Sequence, residues 1–186
     1  MSTSNIVFIL LVAVASGFFA LNVQRLIAYM RIGLAADRGD HPARRFGNVL
    51  RIAIGQSKIL REPVAGVMHA MIFWGFMVLT VGTIEFVLAG IFPGFSLEFL
   101  PRPLFRLYSL SQDVFVLLVL AAIAFAFYRR LVLHPRRLEG DNLEHTDALI
   151  ILGMIGGLMV SYLFANGFLA ALHPDAVAPE KFASHV

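Results

Sequence analysis

Four long apolar stretches constrain the fold of this chain more than any other feature of its sequence. They cover about residues 5–28, 64–92, 107–132 and 147–172. A helix rises about 1.5 Å per residue, so roughly 20 apolar residues cross the ~30 Å hydrocarbon layer of a bilayer. The alternating pattern of a membrane β-barrel is not found in the sequence. We therefore predict an all-α integral membrane protein with four spans in a single membrane domain, residues 1–186.

Composition and charge restrict the function. The 186-residue chain is 59% hydrophobic and has no cysteine, which excludes a disulfide or a Cys-ligated iron–sulfur cluster within it. A net charge of +3 could indicate a nucleic-acid partner, but the arginines follow the ends of the apolar stretches. We therefore predict no nucleic-acid partner and assign the basic residues to membrane topology.

The basic residues predict which side of the membrane each loop faces. Eight lie between 25 and 61 and four between 129 and 137, whereas the link between the second and third spans holds two, Arg102 and Arg106. Cytoplasmic loops carry the excess of Lys and Arg. The prediction is a multi-pass protein of a bacterial or archaeal cytoplasmic membrane, with its N-terminus outside and both arginine-rich loops inside.

The first of these loops predicts a further helix. Phe46, Leu50 and Leu60 recur near helical spacing, and Arg44 and Arg51 lie on the opposite side. This pattern is typical of an amphipathic helix that lies at the lipid interface. We expect such a helix over about residues 43–60.

His69 is the most informative single residue. It lies about five residues into the second stretch, where an ionisable side chain is costly and usually faces the bundle interior. A neutral imidazole there is either an axial ligand for haem iron or a buried histidine bonded to a neighbour. On the same helix, Gly75 and Gly82 leave room for a flat macrocycle or for another helix.

Other ionisable residues are weaker candidates. Glu85 and Asp113 are placed to exchange protons with a quinone, or else to pair with Arg102 or Arg106. His134 and His145 can ligate metal or remain solvated at the interface, and Lys58 can contact a quinone, a cytoplasmic partner or lipid phosphate. The candidate site residues of the sequence are Lys58, His69, Glu85, Asp113, His134 and His145.

One segment carries a family resemblance. The run from Lys58 through Glu62, Pro63, Gly66 and His69 to Phe73-Trp74-Gly75-Phe76 resembles the membrane domain of heterodisulfide-reductase-related iron–sulfur oxidoreductases. These include electron-transfer-flavoprotein:menaquinone oxidoreductases. Their membrane domain is similar to the gamma subunit of respiratory nitrate reductase, a five-helix cytochrome b.

The resemblance implies a function and a cofactor. Electrons would pass between cytoplasmic iron–sulfur or flavoprotein partners and a membrane quinone, menaquinone or ubiquinone, through haem b. His69 matches the haem-ligating histidine. The family's second histidine position is Gly82 here, so the resemblance implies one haem b and supplies no ligand for a second. The other axial ligand would come from a fifth helix, from a partner, or from His134 or His145.

We thus expect four helices of a five-helix cytochrome b domain, with a Cys-rich iron–sulfur domain or subunit as partner. The alternative is a cofactor-free structural or assembly subunit of a larger membrane complex. The presence or absence of haem discriminates between the two.

Overall fold

A computed structural model describes residues 2–33, 39–133 and 142–172, and in 142–145 the backbone alone. The α-helices along this part of the chain are α1 (Thr3–Met30), α2 (Pro42–Asn48), α3 (Pro63–Ile91), α4 (Arg102–Tyr128) and α5 (Asn142–Leu172). A π-helical segment extends α2 over Val49–Ile54 and another extends α4 over Arg129–Leu133, and short 3₁₀ turns cover Ile59–Arg61 and Leu97–Phe99. The described residues contain no β-strand. The predicted all-α class is confirmed.

Four helices are long and apolar enough to cross a bilayer. They are Thr3–Met30, Pro63–Ile91, Arg102–Leu133 and Thr146–Leu172. Each has at least 27 residues, which exceeds the roughly 20 that a span requires. The predicted number of candidate spans is therefore confirmed. A fifth helix of a cytochrome b domain is not tested by this structure and stays a prediction.

Local sequence signals explain several helix boundaries. At the start of α1, Ser2 and Asn5 form a capping box, in which each side chain bonds the backbone of the other residue. Pro42 and Pro63 stand at the first position of α2 and α3, where the lack of an N–H costs nothing. The helical backbone that starts at Pro42 ends at Ile54, before Gly55 and the positive φ of Gln56 (51°).

The described helices form two compact units. The first comprises Met1–Ile54 and Ile84–Ser96. In it, the edge of the Phe8 ring meets Phe86 at a centroid distance of 5.8 Å, and Asn5 Nδ2 donates to the Gly90 carbonyl over 3.0 Å. A Cβ on Gly90 would lie 2.2 Å from the Phe8 ring. The glycine therefore permits α1 and the end of α3 to approach.

Helix α2 also belongs to the first unit. Asp40 forms an ion pair with Arg45, which ties the preceding turn to the helix. Phe46, Val49 and Leu50 are exposed, and so is Arg51. Helical backbone covers Pro42–Ile54 of the predicted 43–60, and the exposure of both apolar and basic side chains does not test an amphipathic character. The location of this helix at the lipid interface stays a prediction.

The second unit comprises Gly55–Thr83 and Leu97–Val186, with its core on α4. Val116, Val119 and Ile123 of α4 are buried together with Met159 of α5, and Ile72 and Leu79 of α3 pack against them.

Gly75 sets how closely α3 and α4 approach within this unit. A Cβ on it would lie 2.1 Å from Val119 Cγ2. Gly82 likewise faces Gln112 of α4. Of the two uses predicted for these glycines, room for another helix is the one that the structure shows.

Candidate cofactor site

A cavity of about 820 Å³ lies in the second unit, where α3 begins, α4 ends and α5 begins. Its volume falls within the ~300–1,000 Å³ typical of small-molecule and cofactor pockets. The residues that line it come from the 55–62 segment, α3, the end of α4 and the start of α5: Lys58, Ile59, Arg61, Glu62, Ala65, Gly66, Met68, His69, Ile72, Ala126, Arg129, Arg130, Ala148, Ile151 and Leu152.

His69 opens into this cavity. Its side chain is exposed, whereas the sequence argument expected it to face the bundle interior. The neighbours of His69 in the cavity follow from helical periodicity. Ala65, Gly66 and Ile72 lie three or four residues away and share the same face of α3. The imidazole is therefore accessible to a molecule held in the cavity.

Basic side chains make the cavity electropositive. Arg129 and Arg130 follow the last turn of α4, Lys58 precedes the 3₁₀ turn before α3, and Arg61 is the last residue of that turn. Arg130 Nε is shielded from solvent and has no hydrogen-bond partner within the described residues. Among the described lining residues, Glu62 is the single acidic one. The arrangement suits an anionic group, because guanidinium donors bind carboxylates and phosphates with charge-assisted bonds.

Gly66 brings the 3₁₀ turn against α3 and so shapes one wall. A Cβ at this position would lie 2.3 Å from the Ile59 carbonyl oxygen and 2.9 Å from Leu60 Cα. These are backbone atoms, which cannot rotate away as a side chain can. Gly66 N also bonds the Glu62 carbonyl over 2.7 Å. The remaining lining is apolar and combines three alanines with larger side chains such as Met68 and Leu152.

The structure brings together some predicted site residues and not others. Lys58 and His69 both line the cavity. Asp113 is fully buried on α4, and Glu85 is partly buried on α3 within the first unit. His145 belongs to α5, but its side chain is outside the described part, and His134 lies outside the described residues.

Sequence reasoning missed the arginines of this site. The sequence assigns Arg61, Arg129 and Arg130 to membrane topology, and Glu62 enters through the family resemblance alone. The sequence does not distinguish these arginines from topology signals, because the π-helical turn that carries Arg129 and Arg130 is a feature of the structure. No three His, Asp or Glu side chains converge on a metal site within the part of the chain that the structure describes.

Two curated proteins are similar to this chain. The probable iron–sulfur-binding oxidoreductase FadF of Bacillus subtilis is 29% identical over 173 residues, which are 93% of this chain and 24% of FadF. The EtfAB:quinone oxidoreductase of Syntrophomonas wolfei is 30% identical over 137 residues, 72% of this chain and 18% of that protein. The chain thus spans about a quarter or less of the length of these relatives. No family model and no solved structure matches it.

Proposed function

We propose that this chain is the haem b-bearing membrane part of an oxidoreductase that exchanges electrons with a membrane quinone. The observation that carries the proposal is the placement of His69 in an electropositive cavity at one end of apolar helices. The similarity to an iron–sulfur-binding oxidoreductase and to a quinone oxidoreductase supports electron transfer as the class of function. Four candidate spans support a multi-pass membrane location.

The residues of the cavity fit a haem. An imidazole nitrogen is a common axial ligand of haem iron, and His69 supplies one. The porphyrin has apolar faces, which suit Ile72 and the three alanines of the lining. Its two propionates suit the basic side chains. The shielded Nε of Arg130 is a donor that a propionate would satisfy. A bound haem would supply a one-electron carrier.

A second axial ligand would come from a histidine whose side chain lies outside the described part, His134 or His145, or from a further helix or partner. The haem count proposed for the chain is one. The position that resembles a second ligand site in the related family is Gly82, and it packs against Gln112.

Quinone chemistry would require groups that move protons as well as electrons. Glu85 and Asp113 are the proposed proton-exchanging carboxylates of the membrane region. Lys58, exposed at the cavity, is proposed to contact a quinone headgroup or a cytoplasmic partner. Menaquinone and ubiquinone both present carbonyl oxygens that such donors would bind.

The proposed partners follow from what the chain lacks. Iron–sulfur clusters are held by cysteine thiolates, and these 186 residues contain no cysteine. A cluster would therefore be bound by a Cys-rich domain or subunit outside them, with an electron-transfer flavoprotein as a further candidate donor. The arginine distribution supports a cytoplasmic position for this partner at a bacterial or archaeal membrane, with the N-terminus proposed to lie outside.

A reduced-minus-oxidised optical spectrum of the intact purified complex tests the proposal. We expect a b-type α band in the wild type and its loss in His69→Ala. His41→Asn is the matched control, because His41 is exposed before α2 with a positive φ of 49° that asparagine tolerates. The control should retain the full band.

Two results would contradict the proposal. A wild-type complex without haem b would favour the cofactor-free structural or assembly subunit. An unchanged band in His69→Ala, in protein that elutes as the intact complex, would assign the haem to other residues.

A further inference from the structure

Three polar side chains share the buried face of α4. Ser109 and Asp113 are 0% exposed and Gln112 is 1% exposed. Their spacing of three and four residues places them together on one face of the helix, followed by Val116 of the apolar core. A polar cluster inside an apolar helix pair is costly unless each polar group finds a partner.

Gln112 orients this cluster toward α3. Its Nε2 donates to the Val78 carbonyl over 2.8 Å, which fixes the amide with Oε1 on the other side. Gly82, one turn beyond Val78, makes room for that oxygen, since a Cβ there would lie 2.8 Å from Oε1. The same Cβ would lie 3.4 Å from the Tyr108 hydroxyl, so a second polar oxygen reaches the same place.

Two atoms of the cluster have no protein partner within the described part of the chain. They are Ser109 Oγ and Gln112 Oε1, and both are shielded from solvent. Side chains three residues apart on a helix have Cβ atoms about 5–6 Å apart, a gap that one water molecule can bridge. Water can donate to the amide oxygen while it accepts from or donates to the hydroxyl.

We propose that Ser109 and Gln112 bind an internal water molecule beside Asp113, between α3 and α4. Water fits better than a metal ion, because hard cations such as Ca²⁺ require about 6–8 oxygen ligands. On α3 the facing residues are Val78 and Gly82, neither of which is charged. The Tyr108 hydroxyl, a titratable group, also lies beside Gly82.

The bound water gives Asp113 a route for proton exchange in an otherwise apolar environment. Buried carboxylates with polar neighbours form proton relays in membrane proteins. That use of the site rests on the proposed quinone-linked function, whereas the water site itself does not.

Heat stability of the intact complex in lipid nanodiscs tests the water site through Ser109→Ala. If water links the two orphan atoms, removal of the hydroxyl breaks a buried network and lowers the midpoint of heat-induced loss of the folded species. If Oγ has no partner at all, the same change removes an unsatisfied group and raises the midpoint. Ser161→Ala is the matched control, because its hydroxyl is exposed and bonds the Gly157 carbonyl of its own helix.

A lower midpoint for Ser109→Ala than for Ser161→Ala, the same in sodium and in choline chloride, supports the proposal. An equal or higher midpoint overturns it. A wild-type midpoint that rises with sodium, and does not in Ser109→Ala, overturns water in favour of a cation.

A cryo-EM map that resolves ordered water provides the second measurement. Density within hydrogen-bond distance of both Ser109 Oγ and Gln112 Oε1 is expected. A map that shows other internal waters and none here would refute the site. Neither measurement depends on haem or quinone, so failure of the water site and failure of the proposed electron-transfer function are distinguishable.

Discussion

Substitution of Gly66 by alanine should distort the cavity and destabilise the second unit. The new Cβ would meet the Ile59 carbonyl oxygen at 2.3 Å and the Ile59 carbonyl carbon at 2.9 Å. Ordinary contact begins near 3.4 Å, so the turn before α3 must retreat by about 1 Å. Both obstacles are backbone atoms, and the Gly66 amide bonds the Glu62 carbonyl of the same segment. Rotation of a side chain cannot relieve the clash.

The magnitude follows from measured costs of overpacking. Forcing extra atoms into a packed site costs about 1–3 kcal/mol, and ~1.4 kcal/mol is a tenfold change in an equilibrium. Retreat of the turn also moves Lys58 and Arg61 away from His69, since all three line one cavity. We therefore expect a lower unfolding midpoint and reduced haem content in Gly66→Ala.

The assay is heat denaturation of the reconstituted complex, with the b-type α band per mole of protein measured beside it. Gly17→Ala and Gly153→Ala are matched controls, because a Cβ at either glycine has no neighbour within 4 Å. These two helical changes should be neutral or stabilising by up to ~1 kcal/mol. A Gly66→Ala variant as stable as the controls would show that the turn does not press on α3. Loss of stability with full haem content would separate the packing role from the cofactor role.

Two further predictions concern the remaining contacts. Gly90→Ala should destabilise the first unit by about 1–3 kcal/mol, since its Cβ would lie 2.2 Å from the Phe8 ring. The double variant with Phe8→Leu should recover most of that loss, and additive effects in the double-mutant cycle would disprove the contact. Arg130→Gln should lower the midpoint potential of the haem that we propose for the cavity, because a nearby cation favours the reduced form. A potential equal to that of Arg51→Gln, an exposed arginine of the first unit, would place Arg130 away from the haem.

The sequence predicts some residues of the candidate site and not others. The sequence identifies His69 because a histidine within an apolar span is unusual whatever surrounds it, and Lys58 because it lies directly before a span in the segment that carries the family resemblance. Arg130 could not be identified in the same way. The same sequence would also serve as a topology signal if the Arg130 side chain lay among the lipid headgroups. That the Arg130 Nε is shielded from solvent becomes apparent once α3, α4 and α5 are packed.

The buried polar face of α4 shows the same limit. Ser109, Gln112 and Asp113 stand at helical spacing in the sequence, and the pattern could have indicated a common face. The packing of α3 against α4 decides which helix they meet. It brings Gln112 Nε2 to the Val78 carbonyl and places Oε1 in the space left by Gly82. Gly75 is a further example. In the sequence, its missing side chain left room for either a cofactor or a helix, and in the structure Val119 of α4 occupies that room.

The sequence by itself therefore determined the class of structure, the number of long apolar helices and their approximate bounds. The physical reason is that a bilayer imposes its thickness on every span, and backbone hydrogen bonds within the helix need no distant partner. Tertiary structure decided what lies beside each helix: the cavity around His69, the cations that line it and the polar cluster on α4. Those features depend on contacts between residues 30 or more positions apart, as between Val78 and Gln112, and no local pattern specifies them.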